Sequence, residues 1–233
     1  MSSGSALDKV KKLREITGVG FKDCKSAIDE TKGDIEKSVE LLRKKGIAKA
    51  SKRMGKTAAE GLVCIYENKN KFSMIEINCE TDFVAKNKEF LVFAEEVSQL
   101  SLSASGEMNN ILKSKMKNNK TVEDNLVDLV AKIGEKITLR RCAFTGNDNL
   151  LNFSYTHAPI KEKIGKLGVL LSIDTTKEKK DIVNLGKQLA MQVASSSPLA
   201  IEKEGLDPNI LKKEKEIITE ELKNSGKDIK IAE

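Results

Sequence analysis

The sequence predicts an α+β chain: a small all-helical module, then a core in which antiparallel strands and helices follow one order twice, then a C-terminal helix. Three observations predict it. Glycines punctuate short apolar stripes of helical spacing through the first forty-odd residues. Between Gly61 and Asp174, segments of period 2 give way repeatedly to segments of period 3.6. The order strand, loop, strand, acidic corner, helix occurs twice.

The helical module comes first. Leu7, Val10, Leu13 and Ile16 share one helical face, and Gly18 is placed to end that helix. Phe21, Cys24, Ala27 and Ile28 form a second stripe, stopped by Gly33. Asp34 is suited to cap a third helix carrying Ile35, Val39 and Leu42, closed by Gly46. Residues 1–46 thus read as a three-helix bundle. The turn Gly18-Val19-Gly20-Phe21 is similar to the loop of ubiquitin-associated domains, so the bundle is either a packing module or a partner-docking module. The polar start, Met1 to Ser5, is set aside from fold reasoning.

The formal net charge is +6, and residues 43–56 alone hold seven basic side chains and no acid. The remainder is nearly neutral, so the basic character is one local feature and not a general polyanion-binding surface. Residues 47–57 read as a basic linker, a solvated tether or a contact for RNA or an acidic surface. Aromatics that would stack on bases are not interleaved with these lysines.

Residues 58–148 form the first half of the core. Gly61 to Glu67 alternates, Asn68-Lys69-Asn70 is a turn, and Phe72 to Cys79 returns as the second strand of a hairpin. A helix with Phe90, Phe93, Ala94, Val97 and Leu100 follows. Thr121 then caps another helix, with Asp124 three residues on and Gly134 at its end. Ile137 to Phe144 is a third strand. Residues 149–205 repeat the pattern: Leu151 to Tyr155 alternates, a loop carries His157 and Pro159, Gly168 to Asp174 is a strand, and Asp181 to Ala194 is a helix. Each half is expected to set helices against one face of its own antiparallel sheet.

Where period 2 changes to period 3.6, the chain reads Asn78-Cys79-Glu80-Thr81-Asp82-Phe83-Val84-Ala85. Asp82 has an ordinary task there, accepting from the open N–H groups of the next helix. Phe83 has none, and a Phe at such a corner is expected near the surface. The second half manages its corner with Asp174-Thr175-Thr176-Lys177, without Phe or Val. A corner of this kind therefore folds without Phe83.

This segment closely resembles the signature of the elongation factor Ts family. Thr17 to Lys25, Ala131 to Ile137, Ser154-Tyr155-Thr156-His157 and Gln188 to Ala194 resemble further family segments in the same order, from about Leu7 to Glu233. Phe21 and Lys22 stand where the family often has two Met side chains.

The resemblance implies guanine-nucleotide exchange on the translation GTPase elongation factor Tu, bound in its GDP and nucleotide-free forms. It implies that Phe83 is an apolar wedge disturbing the partner's magnesium site, that Asp82 sets polar contacts, and that Thr81 and Val84 hold the corner. It also implies that Val19, Gly20, Phe21, Asp23 and His157 dock on the partner. The competing reading is a non-enzymatic adaptor that binds a ubiquitin-like protein or RNA through the bundle and linker. His157, the one histidine, is read either as a locally bonded loop residue or as a partner contact.

Catalytic chemistry is hard to build from this inventory. No His/Cys cluster has metal-ligand spacing, and no phosphate loop of the Walker type is present, so neither an enzyme nor a cofactor-dependent protein is expected, nor direct nucleotide binding. Cys24, Cys64, Cys79 and Cys142 are scattered, which fits reduced thiols in a bacterial-type cytoplasm, or in an organelle matrix after loss of a transit peptide. No apolar run approaches the length of a membrane span, and neither membrane nor DNA is an expected partner.

Residues 206–233 are expected to start a helix at Pro208, carry Ile210, Leu211, Ile217, Ile218 and Leu222 on one seam, and stop at Gly226. In longer family members a second helix returns here as a coiled-coil hairpin. The resemblance implies that this chain holds half of it and lacks the family's C-terminal end. The seam is then expected to be mobile or to pair with a second copy.

Overall fold

The computed structural model describes residues 5–17, 19–53 and 55–224, with backbone only for 47–53 and 223–224. The helical module is α1 (Ala6–Thr17), α2 (Phe21–Glu30) and α3 (Ile35–Arg53). The core follows as β1 (Glu60–Asn68), β2 (Lys71–Cys79), α4 (Asp82–Ala85), α5 (Lys88–Ser103), α6 (Met108–Lys113), α7 (Val122–Ile133) and β3 (Ile137–Thr145). Then come β4 (Leu150–Lys161), β5 (Ile164–Asp174), α8 (Lys179–Ser196) and α9 (Pro208–Asn224). The chain divides into two compact units, Met1–Ala194 and Ser195–Glu233.

The module has its own small core of Val10, Leu13, Cys24, Ala27, Ile28 and Leu42. Its caps are local chemistry. Ser5 and Asp8 bond reciprocally at the start of α1. Lys37 N donates to Asp34 Oδ1 at 3.1 Å at the start of α3. Gly33 takes φ +85, a conformation glycine adopts without steric cost. The expected stop of α1 at Gly18 lies outside the described residues.

Gly46 does not close α3. The helix continues to Arg53, into the interval read as a linker. Gly46 serves contact instead: a Cβ there would stand 2.9 Å from Ala131 Cβ on α7. Arg43 Nη2 meets Asp124 Oδ1 at 2.5 Å across the same helix pair.

All strand pairs are antiparallel, in the order β3-β2-β1-β5-β4. The two expected sheets are therefore one. They are joined by a short register, Val63↔Gly165 and Cys64↔Ile164. Hairpin-then-helix still occurs in each half, as β1–β2 with α5 and β4–β5 with α8.

One face of β1–β2, with Leu62, Cys64, Ile75, Ile77 and Cys79, packs on Phe90, Phe93, Ala94 and Val97 of α5 and on Val122, Leu129 and Val130 of α7. The Leu, Ile, Val and Phe side chains among these stabilise by roughly 1.5–3 kcal/mol each when fully buried. Ser73 stands on the same face without an orphan hydroxyl, accepting from Ser101 Oγ at 2.9 Å and donating to Ser98 O at 3.2 Å. At α8, Gly186 lets the helix lie against the Phe153 ring, and Lys179 Nζ sits 4.9 and 5.4 Å from the Phe72 and Phe153 ring centres.

β4 continues through His157 and Pro159, which the sequence places on a loop. Proline is tolerated because β4 is an edge strand and its register shifts between Pro159 and Lys161. In the second unit, Asp207 Oδ1 accepts from Asn209 N at 2.8 Å, so α9 starts at Pro208 as expected. Its expected stop at Gly226 lies outside the described residues. No helix among the described residues is long and apolar enough to cross a membrane.

Candidate partner-binding corner

The candidate site is built by two caps in quick succession. β2 ends at Cys79. Thr81, extended at φ −128 and ψ 157, caps the single turn of α4, its Oγ1 accepting from Val84 N at 3.4 Å. Asn87 Oδ1 then accepts from Glu89 N at 2.8 Å and Phe90 N at 3.4 Å to start α5. The cap of the first turn is thus Thr81 and not Asp82. Asp82 lies one position too late, inside the helix, where its Oδ2 meets Lys86 Nζ at 2.9 Å. That hydrogen bond holds the exposed Asp82 carboxyl below its ordinary range.

Successive residues of a helix point about 100° apart. Val84 and Ala85 are buried, at 6% and 0% exposure, and join the main core. Phe83 is consequently turned outward and is 81% exposed. The expectation that it stands at the surface holds. A phenyl ring left in water forgoes roughly 1.5–3 kcal/mol of burial, so the fold itself does not use this side chain.

The corner is tied to a distant turn. Gly134 ends α7 in the left-handed conformation, and the next residue, Glu135, reaches back to Thr81. Thr81 N donates to Glu135 Oε2 at 3.1 Å, and Thr81 Oγ1 donates to Oε1 at 2.9 Å. In exchange, Glu80 Oε1 accepts from Lys136 N at 2.7 Å. Cys79 Sγ donates to Thr81 O at 3.1 Å; burial, helped by the Glu135 carboxylate, pushes this thiol up to about 11. Sequence reasoning gave Glu80 and Glu135 no role. The available signal was the acid directly after a helix-ending glycine, inside Ala131 to Ile137.

The other candidate residues lie on separate elements. Gly20 precedes α2 without a side-chain cap, Phe21 is 44% exposed at its first position, and Asp23 is in its first turn. Val19 lines a cavity of about 710 Å³ together with Val39, Leu42, Val92, Phe93 and Leu129. His157 is exposed on the edge strand β4, its Nδ1 3.0 Å from the Tyr155 hydroxyl. Among the described residues, no group of three or more His, Cys, Asp or Glu side chains is placed to hold a metal ion.

Residues 80–233, from the corner onward, match the family profile of Elongation factor TS. Elongation factor Ts of Nitrobacter hamburgensis is 41% identical over 218 residues, covering 94% of this chain and 71% of that protein. The chain belongs to the elongation factor Ts family. The proteins of that name from Methylorubrum populi and Gluconobacter oxydans are 42% and 38% identical over 219 and 224 residues. They cover 94% and 96% of this chain, and 71% and 74% of their own length is spanned. Membership in the elongation factor Ts family makes the chain an elongation factor of protein biosynthesis. The family profile begins at Glu80, so it takes in both acids of the clamp and all of Thr81 to Val84.

Proposed function

We propose that this chain is a guanine-nucleotide exchange factor for elongation factor Tu. The observation that carries the reading is Phe83, an aromatic ring 81% exposed on a turn whose neighbours Val84 and Ala85 are locked in the core. A rigid corner presenting one apolar side chain is suited to push between packed elements of a partner. In such a GTPase, Mg²⁺ bridges protein oxygens and nucleotide phosphates, so displacing those oxygens weakens metal and nucleotide together. By linkage, a partner that prefers the nucleotide-free form weakens nucleotide binding by the same factor that nucleotide weakens the partner's own binding. No covalent bond is made or broken, and the chain acts as an exchange factor and not as an enzyme.

Within this reading Phe83 is the wedge that disturbs the magnesium site, Asp82 offers polar contacts, and Thr81 and Val84 hold the corner. Val19, Gly20, Phe21 and Asp23 dock the helical module, and His157 adds a contact from β4. Residues 1–46 act as the docking domain, and residues 58–148 and 149–205 as the two halves of the core. α9, with Ile217 and Ile218 half-exposed, offers a seam to a second copy.

The test is release of labelled GDP from purified elongation factor Tu. Addition of this chain accelerates release; an unchanged rate refutes the function. Residues 1–57 alone give no acceleration, whereas an adaptor would keep its whole activity in that fragment.

A further inference from the structure

We propose that Glu135 is a positioning residue for exchange: its carboxylate grips Thr81 and presets the direction in which Phe83 is presented. The inference rests on the exchange function proposed above and adds to it a residue outside the Thr-Asp-Phe-Val segment.

Phe83 sits on a helix of four residues, too short to hold its own direction. The burial of Val84 and Ala85 pins the inner side of that turn. Nothing in this apolar contact stops the turn from rocking about it. The clamp does. Every polar group of Thr81 is engaged. Its N–H and hydroxyl both donate to the one Glu135 carboxylate. Its Oγ1 accepts from Val84 N, and its carbonyl accepts from Ala85 N at 3.3 Å and from the Cys79 thiol. Two donors on one carboxylate fix both the backbone direction and the side-chain rotamer of the capping residue. Hydrogen bonds to an ionised group are the strong class. The return bond from Lys136 N to Glu80 crosses the first, so the corner and the turn after α7 are joined at two points.

Glu135 is partly exposed and lies outside the apolar core, and α4 keeps its buried side without it. Its removal therefore loosens the corner and leaves the core intact. A wedge that must be ordered on the partner loses apparent strength in proportion to how seldom it is correctly aimed.

The experiment compares GDP release driven by the full chain, by E135A, by F83A and by the double variant. With Phe83 present, E135A slows exchange about tenfold, the size expected from losing one charge-assisted interaction. In the F83A background the same substitution costs less than about twofold, because a residue acting through Phe83 has nothing left to position. Amide exchange at Thr81 and Val84 rises in E135A while that of β1 and β2 is unchanged. E135Q, which keeps one acceptor oxygen and the side-chain volume, gives an intermediate rate and serves if E135A folds poorly.

Equal losses in both backgrounds mean a general structural role and overturn the proposal, as does no loss in either. The unaltered chain is the control for the underlying function. If it releases no GDP, the exchange reading falls; if it does and E135A matches it, the positioning role falls alone.

Discussion

Gly46 of α3 and Ala131 of α7 approach so closely that a methyl group on Gly46 would stand 2.9 Å from the Ala131 Cβ. The helical module is thereby set directly against the core, and Arg43 and Asp124 pair beside the contact. A residue that looks like a helix stop in the sequence is the point where two helices touch.

Substitutions at that contact separate its two contributions. Glycine inside a helix costs about 1 kcal/mol relative to alanine, whereas overpacking costs about 1–3 kcal/mol. G46A is accordingly close to neutral, and G46L destabilises by about 1–3 kcal/mol. In an A131G background the crowding is relieved, and G46A stabilises by about 1 kcal/mol. Urea unfolding of the parent and the four variants (G46A, G46L, A131G and A131G with G46A) checks this; a G46L chain as stable as the parent would mean that the helices are not in tight contact.

Truncating Phe83 separates folding from function. F83A changes stability by less than about 0.5 kcal/mol, as expected of an exposed residue, whereas a buried Phe costs about 3–5 kcal/mol. The same variant loses at least about 2 kcal/mol of productive interaction with elongation factor Tu, the size of a binding hot spot. Thermal melting and GDP release on one preparation decide it, and a large fall in melting temperature would return Phe83 to the core.

Acid sensitivity has an identifiable contributor in Glu76. Burial raises its pKa, but hydrogen bonds from Arg141, Arg140 and Asn78 together outweigh burial and hold the carboxyl below its ordinary value of 4.5. A group whose pKa is lowered on folding stabilises above the unfolded value and loses that contribution as pH falls through the folded one. Stability therefore declines below pH 4.5 in part through Glu76, and E76Q flattens that part of the decline. The two arginine side chains are 62% and 74% exposed, so the effect is small. Urea midpoints of both chains from about pH 6 to about pH 3 measure it; parallel curves would remove Glu76 from the account.

α9 carries Ile210, Ile217 and Ile218 at 41%, 50% and 44% exposure. A helix of this length is marginal in water without a packed face. Amides around Ile217 and Ile218 are expected to exchange rapidly in dilute solution and to gain protection as the protein is concentrated. Strong protection that ignores concentration would mean that the seam is covered within one molecule.

Much of this was legible because it is local. Thr121 capping α7, Gly134 ending it, Asp34 opening α3 and Pro208 opening α9 each involve hydrogen bonds or dihedrals within a few residues, and the side-chain types announce them. The exposure of Phe83 followed from comparing the two corners: the second half turns without a Phe, so the first has no folding need for one. The shift of the cap from Asp82 to Thr81 is a one-residue matter of phase. Thr81 is still extended and its hydroxyl accepts from Val84 N, so the helix begins one residue earlier than the acid suggests.

By itself, then, the sequence determined the fold class, most element boundaries, the outward Phe83 and the family. The tertiary structure alone decided that two hairpins share one sheet through the Val63 and Cys64 pairing, and that β4 continues past Pro159 because it is an edge. It also decided that Gly46 is a contact, and that Glu135 holds Thr81 from 54 positions away. Periodicity, capping and turn preference act within about one helical turn or one strand pair. Which distant carboxylate meets which amide depends on how the finished elements pack.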